Sequence, residues 1–306
     1  SYMIENREIM MRMFPELFQS LKIEPVENYP EILLNTLKSL TPKNCSKKRN
    51  IVILTPGPLN SAYYEHSFLA DMMGVELVQG SDLYVDQGIT YMKTTRGREK
   101  VDIIYRRIDD NFIDPITFDR NSCIGVPGLF DSYKSGNVNI CSAPGSGIAD
   151  DKAIYTYMPE IIKFYLGEEP ILENIKTWRC GEKKDLEYVV KNLKNLVVKE
   201  VHGSGGYGML IGSHATNKQI SHFKTKIKNN PSNYIAQPII SLSSVPIFNK
   251  KSLSPRHVDL RPFCLVGSNS VNLVNGALTR VALKEGSLVV NSSQGGGVKD
   301  TWVMTE

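Results

Sequence analysis

Residues 196–212 read LVVKEVHGSGGYGMLIG, and the reading of this stretch decides the fold. Leu196, Val197, Val198 and Val201 form one β-type apolar run, and Met209, Leu210 and Ile211 begin a second. Between them lies His202-Gly203-Ser204-Gly205-Gly206-Tyr207-Gly208, with four glycines from 203 to 208. A backbone with so few side chains can approach a phosphate chain closely and aim N–H groups at it. Lys199 stands in the first run just ahead of the loop, where its ammonium can reach the same phosphates.

Three nucleotide motifs compete for the stretch, beside a plain glycine-rich hairpin turn. The dinucleotide fingerprint G-x-G-x-x-G is present in form, but it requires a helix directly after the glycines. Met209-Leu210-Ile211-Gly212 does not read as a helix start. A Walker loop requires Gly-Lys-Ser/Thr, which does not occur. A protein-kinase loop places its lysine after the glycines, with HRD and DFG motifs further on. Here the lysine comes first and neither motif is present. Lysine on the incoming strand with a glycine hairpin over the phosphates is the ATP-grasp arrangement.

The 306 residues suffice for two domains or for one large α/β domain with subdivisions. A content of 41% hydrophobic and 22% charged residues is that of an ordinary globular chain. The 36 basic and 32 acidic residues leave a net charge of +4. That bias is too slight for a nucleic-acid partner, and no basic run carries interleaved aromatics. Lys47-Lys48-Arg49 reads as solvated linker. Cys45, Cys123, Cys141, Cys180 and Cys264 are scattered, odd in number and never spaced C-x-x-C. They are expected as reduced thiols in a cytoplasmic protein, not as a disulfide framework or zinc site. No run of about 18 apolar residues predicts a membrane span.

Residues 1–50 read as a helical lead and linker. Ile9, Met10, Met13, Phe14, Leu17, Phe18 and Leu21 recur at helical spacing, interrupted by Pro15, and Ile32, Leu33, Thr36, Leu37 and Leu40 mark a second amphipathic helix. Residues 51–148 read as an α/β unit: a buried strand from Ile51 to Leu54, a helix from Ser61 to Met73, and strands from Val75 to Val78 and from Val101 to Tyr105. A hairpin is expected around Asp86-Gln87-Gly88. Open α/β sheets place their sites just past strand ends, so Arg107 and Asp109 are site candidates, against the plainer reading of a surface ion pair. Further on, Asp150 or Asp151 can cap a helix from about Lys152 to Tyr165. Lysine is unfavourable near the positive end of a helix dipole, so Lys152 is easier to explain facing an anion, though a solvated lysine fits as well. Tyr234 to Ile240 is a short buried strand, and its Pro238 cannot donate to a ladder. The last third is strand-rich. Asp259 and Arg261 share a face of one strand by period two, Arg280 lies in another, and Asn291 precedes a triple glycine at 295–297. Two arginines, an aspartate and an amide beside that turn make a polar floor suited to phosphates and an acyl group.

With these segments in place the chain resembles the circularly permuted ATP-grasp family, whose relatives include glutathionylspermidine synthetase. The stretches that carry the resemblance are LTPGPLNSAYYEHSFLA, VDIIYRRIDD, APGSGIADDKAIY, VVKEVHGSGGYGMLIG, YIAQP, RHVDLRPFCLVG and LTRVALKEGSLVVNSSQGGGVKDTW. It implies an α/β fold, with a pre-ATP-grasp α/β domain at 51–148 joined to an ATP-grasp α+β domain at 149–306. The second would divide into a glycine-hairpin lobe at 149–240 and a strand-rich floor at 241–306. Lys152 and Lys199 resemble the two ATP-binding lysines, and Gly203, Ser204, Gly205, Gly206, Tyr207 and Gly208 the phosphate loop. Gln237 and Ile239 resemble the adenine hinge, and Arg261, Arg280 and Asn291 the catalytic floor for phosphate and acyl groups.

The activity implied is ATP- and Mg²⁺-dependent ligation of a small-molecule or peptide carboxylate to an amine or thiol through an acyl phosphate. A nucleotide-binding subunit or scaffold without turnover is the alternative. The Glu-x-Asn metal pair of unpermuted ligases has no counterpart after Asn291, and Glu5-Asn6 is adjacent instead. The chain, which begins Ser-Tyr-Met, is therefore expected to be a fragment whose metal ligands lie upstream.

Overall fold

A computed structural model describes residues 1–306 apart from 46–48, 204–207, 250–251, 288–289, 291–294 and 306. The described chain divides into two units: residues 1–146, 260–279 and 299–306 form the first, and residues 147–259 and 280–298 the second. Among the described residues no helix is long and apolar enough to cross a membrane.

The first unit opens with helices α1 (Tyr2–Met13), α2 (Pro15–Ser20) and α3 (Tyr29–Ser39). Pro15 begins a helix because a first-turn residue needs no intrahelical N–H bond. The periodic apolar residues do not all face inward: Ile9, Met13, Phe14, Leu17 and Leu21 are exposed, and Met3, Ile4 and Arg7 form the buried side of α1. Arg7 is buried because it is fully paired. Its Nε meets Asp300 Oδ2 at 2.8 Å, and its Nη1 and Nη2 donate to the carbonyls of Glu24 and Thr301. A pairing across such a sequence distance leaves no local periodicity to read. The second expected helix is present as α3, with Leu33, Thr36 and Leu37 buried.

Strand β1 (Ile51–Leu54) leads through α4 (Tyr63–Met73) to β2 (Glu76–Val78), a parallel neighbour. Gly74 ends α4 in the left-handed conformation, φ 62°. The antiparallel meander β3 (Leu83–Asp86), β4 (Ile89–Thr94) and β5 (Gly97–Lys100) follows. Its first turn holds Gln87 and Gly88 at φ 49° and 75°, the positive pair of a tight hairpin. Strand β6 (Ile103–Arg106), α5 (Leu129–Lys134) and β7 (Asn139–Cys141) complete the first layer. The parallel sheet has the order β2-β1-β6-β7, so the chain leaves β1 to one side and returns on the other.

That sheet is apolar on both faces, as parallel sheets are. Ile51, Ile53 and Ile103 pack with Leu33, Leu37 and Leu69 of α3 and α4, while Val52, Leu54 and Ile104 pack with Leu83, Met92 and Leu129.

In the second unit, α6 (Met158–Leu166), β8 (Trp178–Arg179), α7 (Lys183–Asn192), β9 (Leu196–Glu200), β10 (Leu210–Ile211), α8 (Asn217–Asn229) and β11 (Tyr234–Pro238) succeed one another. A capping box starts α8: Gln219 N–H donates to Thr216 Oγ1 at 3.3 Å, and Thr216 N–H to Gln219 Oε1 at 2.8 Å. The antiparallel sheet β10-β9-β11-β8 buries Leu196, Val198, Leu210, Tyr234 and Ala236 against Val189, Leu193 and Ile227. The remaining strands are β12 (Ser244–Asn249), β13 (Ser252–Val266), β14 (Val271–Val281) and β15 (Gly297–Trp302), hydrogen-bonded in that order.

Candidate nucleotide site

Strands β9 and β11 pair Lys199 with Ile235 and Val197 with Gln237. Because side chains alternate along a strand, these four residues share the face turned away from α7 and α8. Two of them are polar. Lys199 Nζ donates to Gln237 Oε1 at 2.8 Å, and Gln237 Nε2 donates to Thr177 Oγ1 at 2.9 Å. Both Gln237 bonds fix the orientation of its amide, and that amide fixes the ammonium.

Lys152 approaches the same strand from the preceding segment. Its main-chain N–H and its Nζ both donate to the Val201 carbonyl at 3.3 Å, and Nζ also donates to the Gly203 carbonyl. The expected helix from Lys152 is not continuous. Asp151 Oδ1 accepts from the N–H groups of Ala153 and Ile154 at 2.7 and 3.1 Å, capping a single 3₁₀ turn over Ile154–Tyr157. The α-helix begins only at Met158, since Pro159 has no N–H to return to the Tyr155 carbonyl. The dipole argument for Lys152 therefore fails, and its strand-end carbonyls and the charge of Lys199 are what define its surroundings.

The two ammonium groups are close enough to disfavour each other. Burial, and then the charge of Lys152, hold Lys199 below the ordinary lysine range. Neither lysine has a carboxylate partner among the described residues. Two half-buried cations held by neutral oxygens, without a counter-ion, form an arrangement that an anion completes.

Of the other residues singled out from the sequence, Gly203 donates its N–H to the Glu200 carbonyl at 3.2 Å. Gly208 sits at φ 67°, where a Cβ would lie 2.7 Å from Glu200 Cδ. Ser204, Gly205, Gly206, Tyr207 and Asn291 lie outside the described residues. Ile239 follows the end of β11, past the two residues that pair with β8. Arg261 is an exposed residue of β13 within the first unit, and Arg280 a half-buried residue of β14 within the second. Thr177, which no motif marked, enters the site through Gln237. A lone threonine in an irregular segment carries no sequence signal of that kind. Among the described residues no group of three or more His, Cys, Asp or Glu side chains could hold a metal ion.

Comparison with known proteins adds the following. Residues 1–282 match the family described as circularly permuted ATP-grasp type 2. An uncharacterized protein of Synechocystis sp. is 52% identical over 304 residues, 99% of this chain and 63% of that one. A protein of Frankia alni, provisionally named a glutamate–cysteine ligase, is 39% identical over 303 residues, 99% of this chain and 35% of its own length. The chain thus spans less than two thirds of these relatives. Among solved structures, a glutathione synthetase-like effector from Globodera pallida superposes with a TM-score of 0.50 at 10% identity, covering 91% of this chain and 61% of that one. At that identity the likeness concerns the fold.

Proposed function

The chain belongs to the circularly permuted ATP-grasp type 2 family, and from that membership we propose that it takes part in ATP-dependent ligation of a carboxylate to an amine or thiol. The observation that carries the proposal is the uncompensated pair Lys152 and Lys199, the first held by the Val201 and Gly203 carbonyls just past β9 and the second by Gln237 on one face of β9 and β11. ATP, when bound, supplies the phosphoryl group and its charge. The two ammonium groups would hold phosphate oxygens, joined by N–H groups of the 203–208 segment. Gln237 would keep Lys199 aimed, and the main chain beyond it, up to Ile239, would face the base. Arg261, Arg280 and Asn291 remain the proposed floor for phosphate and acyl groups.

The reaction proposed is balanced in two steps. A carboxylate oxygen takes the terminal phosphoryl group as ADP leaves, giving an acyl phosphate. The amine then attacks the carbonyl carbon, phosphate departs with its oxygen, and the amine gives up a proton. Mg²⁺ belongs to this chemistry in general, but no described group of residues fits it, so no step is routed through it. Under the same proposal residues 51–148 are the pre-ATP-grasp domain and 149–306 the ATP-grasp domain.

Calorimetric titration with Mg-ATP, followed by a panel of acids and amines read by ADP release, tests the proposal. ADP release that depends on both co-substrates supports ligation. Binding without such release, also in a longer chain of the length its relatives have, favours a nucleotide-binding subunit or scaffold, and absence of binding removes both readings.

A further inference from the structure

The parallel sheet of the first unit offers a second place for a ligand. The chain departs from β1 in both directions, so the ends of β1 and β6 flank a topological switch point, where open α/β sheets bind their ligands. On the face under α3 and α4, both strands change from apolar to polar toward that end: Ile51, Ile53, Thr55 along one, and Ile103, Tyr105, Arg107 along the other.

The two arginines at the end of β6 are used differently. Arg106, on the opposite face, is spent on structure. It donates to the carbonyls of Ser142 and Ile108 at 2.6 and 2.9 Å and pairs with Asp110 at 2.6 Å. Arg107 is held loosely, with Tyr105 Oη at 3.4 Å and Glu65 at 3.9 Å, and both members of the ion pair keep about a third of their side-chain surface in solvent, 30% and 33%. A guanidinium with long, poorly satisfied contacts retains donors for a planar carboxylate.

The neighbours set the charge of the site. Thr55 and His66 are buried, with Thr55 Oγ1 and His66 Nδ1 at 2.9 Å. Gly57 N–H donates to the same hydroxyl at 3.2 Å. Thr55 and His66 thus share one hydrogen bond, and a pKa lowered to about 4, by burial first and then by Arg107, keeps the imidazole neutral near pH 7. Glu65 offsets part of the Arg107 charge, so the site is at most singly positive, which suits a carboxylate better than a phosphate dianion. Tyr105, whose hydroxyl meets Arg107, also lines a cavity of 510 Å³ with Leu33, Leu37, Cys141 and Leu265.

We propose that this edge of the first unit binds an organic carboxylate, its charged end on Arg107 and its uncharged remainder in that cavity. The assignment deepens the ligase reading, since such a ligand would be the acid to be activated, but binding here requires no nucleotide.

The test is calorimetry of the chain without ATP, using sodium hexanoate, hexanamide and inorganic phosphate as probes. Hexanoate is expected to bind about tenfold or more tightly than hexanamide, and Arg107→Gln to remove that preference. Glu65→Gln is expected to raise hexanoate affinity about two- to fivefold, because a competing carboxylate is gone. Equal binding of acid and amide, phosphate tighter than hexanoate, or no hexanoate binding below about 10 mM overturns the proposal. If Arg107→Gln fails to fold, an unchanged or weaker affinity in Glu65→Gln overturns it. Hexanoate binding in a chain that does not bind Mg-ATP would leave this site standing and remove the ligase reading.

Discussion

The antiparallel sheet of the second unit carries Lys199 and Gln237 within its strands, whereas the parallel sheet of the first turns polar only past its strand ends, at Thr55 and Arg107. Sheet type explains the difference. A parallel sheet needs helices or loops over both faces, so its strand interiors are apolar and chemistry moves to the ends. An antiparallel sheet with helices on one face can devote the other to polar side chains. A long anion can then lie along the strands of the second unit, while the first can present charge only at an edge. The buried polar groups differ accordingly. In the first unit Thr55 and His66 satisfy one another, whereas in the second Gln237 is turned to an ammonium without a carboxylate partner.

The largest effect that would sharpen this contrast is on the stability of the first unit. His66 has a folded pKa of about 4 against 6.5 in the unfolded chain. Between these values the unfolded chain binds more protons, so stability falls as pH drops through the window, by up to about 3 kcal/mol. Urea unfolding at pH 7.5 and pH 5 should show the fall in the parent chain and a smaller one in His66→Gln. Equal slopes would mean that His66 is not held neutral. Next comes Lys199→Met. Losing a charge-assisted contact should weaken Mg-ATP binding by about 1.5–3 kcal/mol, roughly tenfold or more. Stability should hold or rise, because a half-buried charge is removed. A variant that loses stability but keeps its nucleotide affinity would make Lys199 a structural group and erase the contrast.

The sequence disclosed the strand–glycine–strand element, the hairpin at Gln87-Gly88 and the helix under Leu33 and Leu37, because each is written within a dozen or so residues. It did not disclose that Lys199 bonds Gln237, since their register depends on which strands pair. The helix at Lys152 was misplaced because the cap at Asp151 is real but serves a 3₁₀ turn, and Pro159 sets the true start. The inward face of α1 was misread because its central residue is an arginine matched to Asp300. Arg107 was marked from its position past a strand end, but only the geometry separates it from Arg106.

Two glycines with nearly the same backbone angle compare the units at smaller scale. Gly74, in the first, has φ 62° and no atom within 4 Å of an added Cβ, and Gly208, in the second, has φ 67° with Glu200 Cδ at 2.7 Å. Gly74→Ala should cost only the left-handed penalty, about 1 kcal/mol, and Gly208→Ala about 2 kcal/mol as Glu200 is forced aside. Urea midpoints that shift equally would show that Glu200 moves freely and that its side chain does not press on Gly208.

The smallest expected effect tests how the lysine of the second unit is aimed. Thr177 Oγ1 accepts from Gln237 Nε2 at 2.9 Å, while Gln237 Oε1 accepts from Lys199 at 2.8 Å. Gln237 is buried, so Thr177→Val leaves its amide N–H without that acceptor. A single neutral hydrogen bond is worth about 0.5–1.5 kcal/mol. Without it the amide can turn, and its oxygen no longer fixes the ammonium. If Gln237 positions Lys199 for an anion, Mg-ATP affinity in Thr177→Val should fall by about two- to tenfold, and Thr177→Val should add little to the loss already seen in Lys199→Met, because the two changes act through one group. A chain of this kind has no equivalent at Arg107, where the loose contacts leave nothing upstream to set the direction. Fully additive losses in the double variant would show that Thr177 acts on the nucleotide independently of Lys199, and the ordered ammonium of the second unit would then need another explanation.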